Sequence, residues 1–313
     1  MTHTQLTTSE AALIHGYLLS DIPITTISRL THRSRPTIYR VKHWIESGKN
    51  MTDWYEHTRI TRSRRGRHRV TLSDECMRLV KQLLVYGYSP DVIAHTQNIG
   101  CSARTLYRLA EKGVLSLTLL PWKGKRRKNH TSEKRGRLKG AVSIHERSHV
   151  FPHYRSEFGH WEGDTIVGKG RKSCVVTLVE RASKNIVTLP TQGRKATDIE
   201  ASLHAWLTKQ PVNSVKSITF DRGLEFAKWK QAIRDTSTSV FFADPGSPGQ
   251  RGLNENSNGL LRRSGLPKSL DFNTVTPQYI KHVAVKRNSI PRKSLDYKTP
   301  QDMYDSYIAR LER

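Results

Sequence analysis

The sequence predicts two architectures in one chain: an all-α tandem helix-turn-helix region, followed by an α/β domain with a mixed five-stranded sheet and flanking helices. Three observations carry this. A Ser-x-x-Thr-aliphatic-Tyr-Arg-aliphatic string occurs twice in the first half, at an offset of 68 residues. Beyond Phe158 the chain turns to short β-branched runs, three in succession and then two that alternate with helical stretches, the pattern of a mixed sheet. Two dense Lys/Arg runs, at 59–69 and 122–139, divide the stretches that have an apolar period.

The first copy of the string is Ser34-Arg35-Pro36-Thr37-Ile38-Tyr39-Arg40-Val41, the second Ser102-Ala103-Arg104-Thr105-Leu106-Tyr107-Arg108-Leu109. In each, the Ser is suited to cap a helix N-terminus by accepting from an orphan backbone N–H. Ile38, Val41 and Ile45, and again Leu106 and Leu109, fall at helical spacing and form an apolar stripe. A shorter helix precedes each copy. The first spans 24–30, with His32-Arg33 as the turn; the second opens at Ser89-Pro90-Asp91, with Asn98-Ile99-Gly100 as the turn, and Pro is favoured at the first helical position. Amphipathic stretches lie further upstream at 10–19 and 74–86. Each half is thus a three-helix unit ending in helix, turn, helix, the arrangement whose last helix enters a DNA major groove. The residues presented there would be Arg35, Thr37, Tyr39 and Arg40 in the first unit, and Arg104, Tyr107 and Arg108 in the second.

The basic runs include Arg64, Arg65, Arg126 and Arg127. They lack an apolar period and their charges repel, so they read as extended arms, which add phosphate contacts without sequence choice. The expected organisation is a helix-turn-helix unit at 1–58, a basic linker at 59–71, a second unit at 72–121, a second linker at 122–150, and the α/β domain with its C-terminal helices at 151–313. Within that domain strands are expected at 160–167, 173–179, 186–191, 215–220 and 239–243, and helices at 196–209, 225–234, 253–263, 277–287 and 300–311. Tyr304, Tyr307, Ile308 and Leu311 give the last helix one apolar stripe, suited to docking on the core.

The 313 residues carry 53 Lys and Arg against 27 Asp and Glu, a net charge of +26. The excess is +16 over residues 1–150 and +10 over 151–313. A charge this large points to a polyanionic partner, nucleic acid first. No apolar run approaches the ~20 residues a membrane helix needs, and the first ten residues hold no signal-peptide core. Cys76, Cys101 and Cys174 are widely spaced and form no CxxC pair, which fits a reduced, cytoplasmic setting.

Acids are scarce, so their placement is informative. Asp164 falls mid-strand in His160-Trp161-Glu162-Gly163-Asp164, Asp221 ends the fourth strand before Arg222-Gly223, and Glu255 lies in a helix. An acid in a strand built for burial is costly unless paired or bound to a cation. Three carboxylates converging on one sheet edge would hold Mg²⁺ through oxygen. Two such ions about 3.5–4 Å apart can clamp the attacking and leaving oxygens of a phosphoryl displacement. Glu162, two residues from Asp164 on the same strand face, and Glu225 compete for these roles, and the chemistry alone does not select the set.

Several strings carry a resemblance: Ser143-Ile144-His145-Glu146-Arg147; Gly159-His160-Trp161-Glu162-Gly163-Asp164; Thr219-Phe220-Asp221-Arg222-Gly223-Leu224-Glu225-Phe226; Ala243-Asp244-Pro245-Gly246-Ser247-Pro248; and Gln250-Arg251-Gly252-Leu253-Asn254-Glu255-Asn256-Ser257-Asn258-Gly259-Leu260. Arg262, Pro267-Lys268, Asn288, Arg292 and Tyr297-Lys298-Thr299-Pro300 follow, and 33 residues separate Asp221 from Glu255. In this order they resemble the insertion-sequence-thirty family of bacterial DDE transposases. The resemblance implies an RNase H-like fold of the retroviral-integrase type. By matching motifs it implies Asp164, Asp221 and Glu255 as the catalytic and metal-holding triad, with Glu162 and Glu225 in support.

It further implies two Mg²⁺ ions, or Mn²⁺ in their place, and double-stranded DNA as substrate, both terminal inverted repeats and target. Hydrolysis would free a 3′-OH that then attacks another phosphodiester, with no covalent enzyme–DNA intermediate. Synapsis of two ends requires a homo-oligomer, and the setting would be the bacterial cytosol beside the nucleoid. Arg262 and Arg263, seven and eight residues after Glu255, are expected with Lys268 to grip phosphates near the metals. Two positions depart from the family: Arg222 replaces a common Asn, and Gly249 a common Trp. Arg222 is placed either to compete with metal for Asp221 or to hold a phosphate. The other reading of the same helical units is a non-catalytic DNA-binding regulator, which would bind its sites and release no 3′-OH.

Overall fold

The computed structural model describes residues 6–64, 71–124 and 140–311. Arg65, Arg126, Arg127 and the side chain of Arg64 therefore lie outside the described residues.

Met1–Thr71 is one compact unit with helices α1 (Thr8–Leu19), α2 (Ile24–Thr31), α3 (Arg35–Glu46) and α4 (Met51–Arg64). Thr7 opens α1 with a capping box: its hydroxyl accepts from Glu10 N–H, and the Glu10 carboxylate accepts from Thr7 N–H at 2.8 Å. Ala11, Ile14, Ile27, Ile38, Val41 and Trp54 form the core. The α3 stripe therefore faces inward as expected, with Arg35, Tyr39 and Arg40 exposed and Thr37 half-buried.

The basic run at 59–69 is not an extended arm throughout, because α4 reaches Arg64. Asn50 opens that helix by accepting from Asp53 N–H at 2.7 Å, and Trp54 meets Trp44 edge-on at 5.3 Å. Once nucleated against the core, a helix adds each further residue at little cost, and Arg59 sits in solvent.

Leu72–Arg313 is the second compact unit. It begins with α5 (Asp74–Tyr86), α6 (Pro90–Thr96) and α7 (Ala103–Glu111), packed around Val80, Leu84, Ile93, Leu106 and Ala110. Ser73 and Ser89 cap α5 and α6 by accepting from Cys76 and Val92 N–H. Ser34 and Ser102 stand at the N-caps of α3 and α7 without a backbone cap bond. Each hydroxyl instead meets the Thr three residues on, Ser34 with Thr37 at 3.0 Å and Ser102 with Thr105 at 3.2 Å. The two copies of the repeat thus share side-chain geometry as well as sequence. Arg104, Tyr107 and Arg108 are exposed on α7.

The α/β part opens with α8 (Arg147–Val150) and builds a sheet from β1 (His160–Val167), β2 (Cys174–Glu180), β3 (Ile186–Pro190), β4 (Ser217–Phe220) and β5 (Ser239–Phe242). Around it lie α9 (Ala196–Leu207), α10 (Trp229–Ala232), α11 (Gly252–Ser264), α12 (Pro277–Asn288) and α13 (Pro300–Leu311). The strand order is β3-β2-β1-β4-β5, with β1, β2 and β3 antiparallel and β4 and β5 parallel to β1. This is the expected RNase H-like sheet. One face packs Trp161, Ile218, Phe220 and Phe242 against Ile199 and Leu203 of α9. The other packs Ile166, Val175 and Val179 against Leu261 of α11 and Val283 of α12.

The helix expected at 225–234 shrinks to α10, because Phe226 turns back to stack on Phe220 at 4.1 Å. Tyr307 of α13 stacks on Phe158 at 4.8 Å, so this helix docks on its own domain. Burial pushes the Tyr304 phenol up to about 12.

Residues 72–121 and 151–313, expected as separate domains, share the one unit. Tyr297 donates its hydroxyl to Asp91 Oδ2 at 3.0 Å and stacks on His95 at 4.3 Å. Lys293 pairs with Asp91 at 3.5 Å, and Arg287 donates to the Gly87 carbonyl at the C-terminus of α5 at 3.3 Å. Such pairings join residues some 200 positions apart, so no local pattern marks them. Among the described residues no helix is long and apolar enough to cross a membrane.

Candidate active site

The register of β1 against β4 builds the centre of the site. Glu162 lies opposite Thr219, so two residues further along Asp164 comes beside Asp221. The close approach depends on Gly163, where a Cβ would run into the Phe220 ring. A glycine here lets the two strands, and with them the two aspartates, lie side by side.

A guanidinium stands between those aspartates. Arg251 Nη2 is 3.2 Å from Asp221 Oδ2, and its Nη1 is 3.8 Å from Asp164 Oδ2 and donates to the Gly163 carbonyl at 3.2 Å. Asp221 Oδ1 accepts from Gly223 N–H at 3.0 Å; Asp164 accepts from Thr165 N–H at 2.8 Å and from Asn258 Nδ2 at 3.0 Å. Asp221 is only 5% exposed, so a positive partner offsets the cost of burying its charge. Arg222 was expected to compete for Asp221 or to hold a phosphate. It turns away to the Ala243 carbonyl at 3.2 Å and to Asp244 at 3.7 Å.

The sequence left Glu162 and Glu225 in competition with the triad. Glu162, 2% exposed, is committed elsewhere: Arg181 Nη1 donates to it at 2.7 Å, and Asn254 N–H at 3.0 Å. It receives the first turn of α11, where a carboxylate also meets the favourable end of the helix dipole. Asn254 Nδ2 adds bonds to the Glu162 and Thr177 carbonyls, which fixes α11 across the sheet. Glu255 lies on α11 four residues after Arg251 and three before Asn258, on the face those two turn to Asp164, and is exposed.

Two of the three expected acids therefore converge, while the third sits on the neighbouring helix in solvent. Among the described residues no three His, Cys, Asp or Glu side chains gather into a metal-holding group. The two converging acids already share one cation, the Arg251 guanidinium.

Arg251 and Asn258 were missed in the sequence. Their spacing of four and three residues around Glu255 was the available signal.

A cavity of about 520 Å³ opens beside Asp164. Thr165 and Glu225 line it with Arg171, Arg194, Arg262 and Lys268. Arg262 also clasps the backbone, donating to Val167 O at 2.8 Å and Leu266 O at 3.2 Å. Arg263 lies apart from it: it lines a second cavity with Leu84, Asp91 and Arg287. Consecutive helical residues point about 100° apart, so the two arginines do not share one face as expected.

A mixed sheet with paired aspartates on adjoining strands fits a polynucleotidyl transferase, an enzyme that cuts and joins phosphodiesters, and the chain's relatives show that class. The family model for the integrase core domain matches residues 155–248. The chain is 31% identical over 258 residues to the transposase for insertion sequence element IS4351 of Bacteroides fragilis, covering 79% of this chain and 78% of that one. It is 39% identical over 170 residues to transposase InsI for insertion sequence element IS30C of Escherichia coli (strain K12), covering 53% of this chain and 43% of that one. It is 34% identical over 180 residues to the transposase for insertion sequence element IS1086 of Cupriavidus metallidurans, covering 57% and 52%. The aligned parts thus span about half the length of the last two. The chain belongs to the IS30-type DDE transposases, DNA-binding enzymes of a class that works with divalent metal ions.

Proposed function

We propose that this transposase binds terminal inverted repeats, cleaves the element ends and transfers the freed 3′-OH to target DNA, with Asp164, Asp221 and Glu255 as its metal-holding residues. The observation that carries the reading is the pairing of Asp164 and Asp221 around one positive group, on strands that α11 crosses with Glu255. Carboxylate oxygens are the donors that Mg²⁺ or Mn²⁺ selects. Two bound ions would supply an activated water and charge stabilisation at the phosphoryl group.

The chain's own residues prepare that site. Asn258 orients Asp164, Gly223 N–H orients Asp221, and Asn254 sets the height of α11. Arg251 holds the two aspartates together and must withdraw for a divalent cation to take its place. Hydrolysis breaks the phosphodiester at the element end and leaves a 3′-OH. That hydroxyl then attacks a target phosphodiester, and the 3′-oxygen of the broken target bond departs as the new strand is joined. The exposed α3 and α7 residues, Arg35, Thr37, Tyr39, Arg40, Arg104, Tyr107 and Arg108, are the proposed groove and phosphate contacts, with Lys268 nearer the acids. Two ends require two such sites, hence a homo-oligomer.

The test is cleavage and strand joining in Mg²⁺ on a duplex carrying the DNA that flanks the coding region. Asp164→Asn, Asp221→Asn and Glu255→Gln should each abolish both products while leaving DNA binding. Joining that survives all three would overturn the triad. Binding without any released 3′-OH in the unaltered protein would instead mark a DNA-binding regulator.

A further inference from the structure

The string Ser143-Ile144-His145-Glu146-Arg147 has no part in the site just described, yet it builds a second basic cavity beside it. The cavity measures about 650 Å³, and Arg147, Tyr154, Arg155, Arg181, Gly249 and Gln250 line it. Three guanidinium groups surround one ring: Arg147 lies 4.0 Å from the Tyr154 centroid, Arg181 5.6 Å and Arg155 5.7 Å. Arg155 Nε also donates to the Tyr154 hydroxyl at 3.1 Å.

We infer that this cavity is a phosphodiester-binding subsite, which holds the DNA strand next to the catalytic acids. The inference rests on the DNA-processing reading above and adds a binding site to it. Three observations support it. First, the positive charge of the three arginines exceeds the acid paired with them, and Arg147 carries its share in the interior. Arg147 is 4% exposed and donates to the Thr219 hydroxyl at 2.9 Å. The buried Nε atoms of Arg147 and Arg181 have no hydrogen-bond partner among the described residues. Among the described residues Glu162 is the carboxylate paired with Arg181, and it also accepts from Asn254. Burial, and then the neighbouring Arg181, pull the Arg147 guanidinium below its usual range. An anion with several acceptor oxygens would satisfy the open donors and compensate the charge.

Second, the cavity is continuous with the catalytic strands. Thr219 and Glu162, which anchor Arg147 and Arg181, each lie two residues before an aspartate, Asp221 and Asp164. Two strand residues span roughly 6.6 Å, about two nucleotide rises. Gln250, in the wall, precedes Arg251, which touches both aspartates. Third, the mouth is open: a Cβ at Gly249 would meet nothing within 4 Å.

The experiment measures how the binding of a random-sequence duplex to the full chain depends on salt, with chelator present. Arg155→Gln is the lead variant, because Arg155 is exposed and, among the described residues, its hydrogen bond and ring contact are to Tyr154. Arg147→Gln is the second, removing the charge while keeping a side chain that can still reach the Thr219 hydroxyl. The slope of log K against log salt should shrink by about 0.9 for each lost phosphate contact in Arg155→Gln, with unfolding temperature unchanged, and Arg155→Lys should restore it. A full slope in both Arg155→Gln and Arg147→Gln would overturn the subsite. So would inorganic phosphate raising the unfolding temperature of the unaltered protein while Arg155→Gln leaves the DNA slope intact, since the cavity would then serve a free anion. An unaltered protein that fails to bind duplex at all would overturn the DNA-processing reading itself, a separate outcome.

Discussion

Asp221 Oδ2 and Arg251 Nη2 lie 3.2 Å apart at the end of β4. The same guanidinium reaches Asp164 on the adjacent strand. Two carboxylates that would repel each other are thereby held at one point by a positive group of the chain itself. In the proposed mechanism Arg251 stands in for the cation that the two acids would receive.

Arg251→Gln should therefore have two opposite effects. Without divalent metal it should destabilise the α/β domain by about 2–3 kcal/mol, since a buried carboxylate loses its partner. With the competing guanidinium gone, Mn²⁺ should bind more tightly, read by titration calorimetry without DNA. Unchanged urea stability together with unchanged Mn²⁺ affinity would show that Arg251 neither holds the acids nor competes for them.

Gly163→Ala should disrupt the β1–β4 pairing, because its methyl group meets the Phe220 ring. Overpacking of this kind costs about 1–3 kcal/mol. The double variant with Phe220→Leu should recover part of the loss in urea unfolding. A single variant as stable as the parent would show that the strands have slack.

Glu162→Gln should lower stability by about 3 kcal/mol, the scale for breaking a buried ion pair, because Arg181 and the first turn of α11 lose a charged acceptor. Its strand-joining loss should follow the displacement of α11 and be rescued in part at low temperature. A stable Glu162→Gln protein with no activity would instead place Glu162 among the metal-holding acids.

The first unit should respond to acid through Glu10. The Thr7 backbone amide, and then Arg33, hold its carboxyl down at about 2, from an ordinary value of 4.5. A lowered folded value stabilises fully above the unfolded one. Stability should thus be present above about pH 4.5 and be lost as pH falls towards about 2. Hydrogen exchange of α1–α3 amides should rise across that window, and Glu10→Gln should flatten the response.

The strands were legible because β-branched runs such as Cys174–Glu180 end at polar or turn residues and are apolar enough to be buried on both faces. Asp164 and Asp221 were legible as acids placed where burial is costly. Arg251 was not, because it sits at a loop–helix junction with no period, and its role appears only when β1, β4 and α11 meet. The role of Glu162 was hidden for the same reason: Arg181 and the Asn254 amide come to it from other elements. The helical part of the 59–69 run was masked by its charge, which obscured the nucleus at Trp54.

The clasp of Tyr297 on Asp91 and His95 has a mechanical meaning. A reading head on a loose tether would search many positions and present its DNA at many distances. α5 to α7 are instead fastened to the domain that bears the acids, so a duplex held on α7 would reach the cutting point at a set offset. The molecule would then work as a gauge: the distance from recognised bases to the scissile bond would be a property of the fold, and shifting the DNA site by half a helical turn would defeat it.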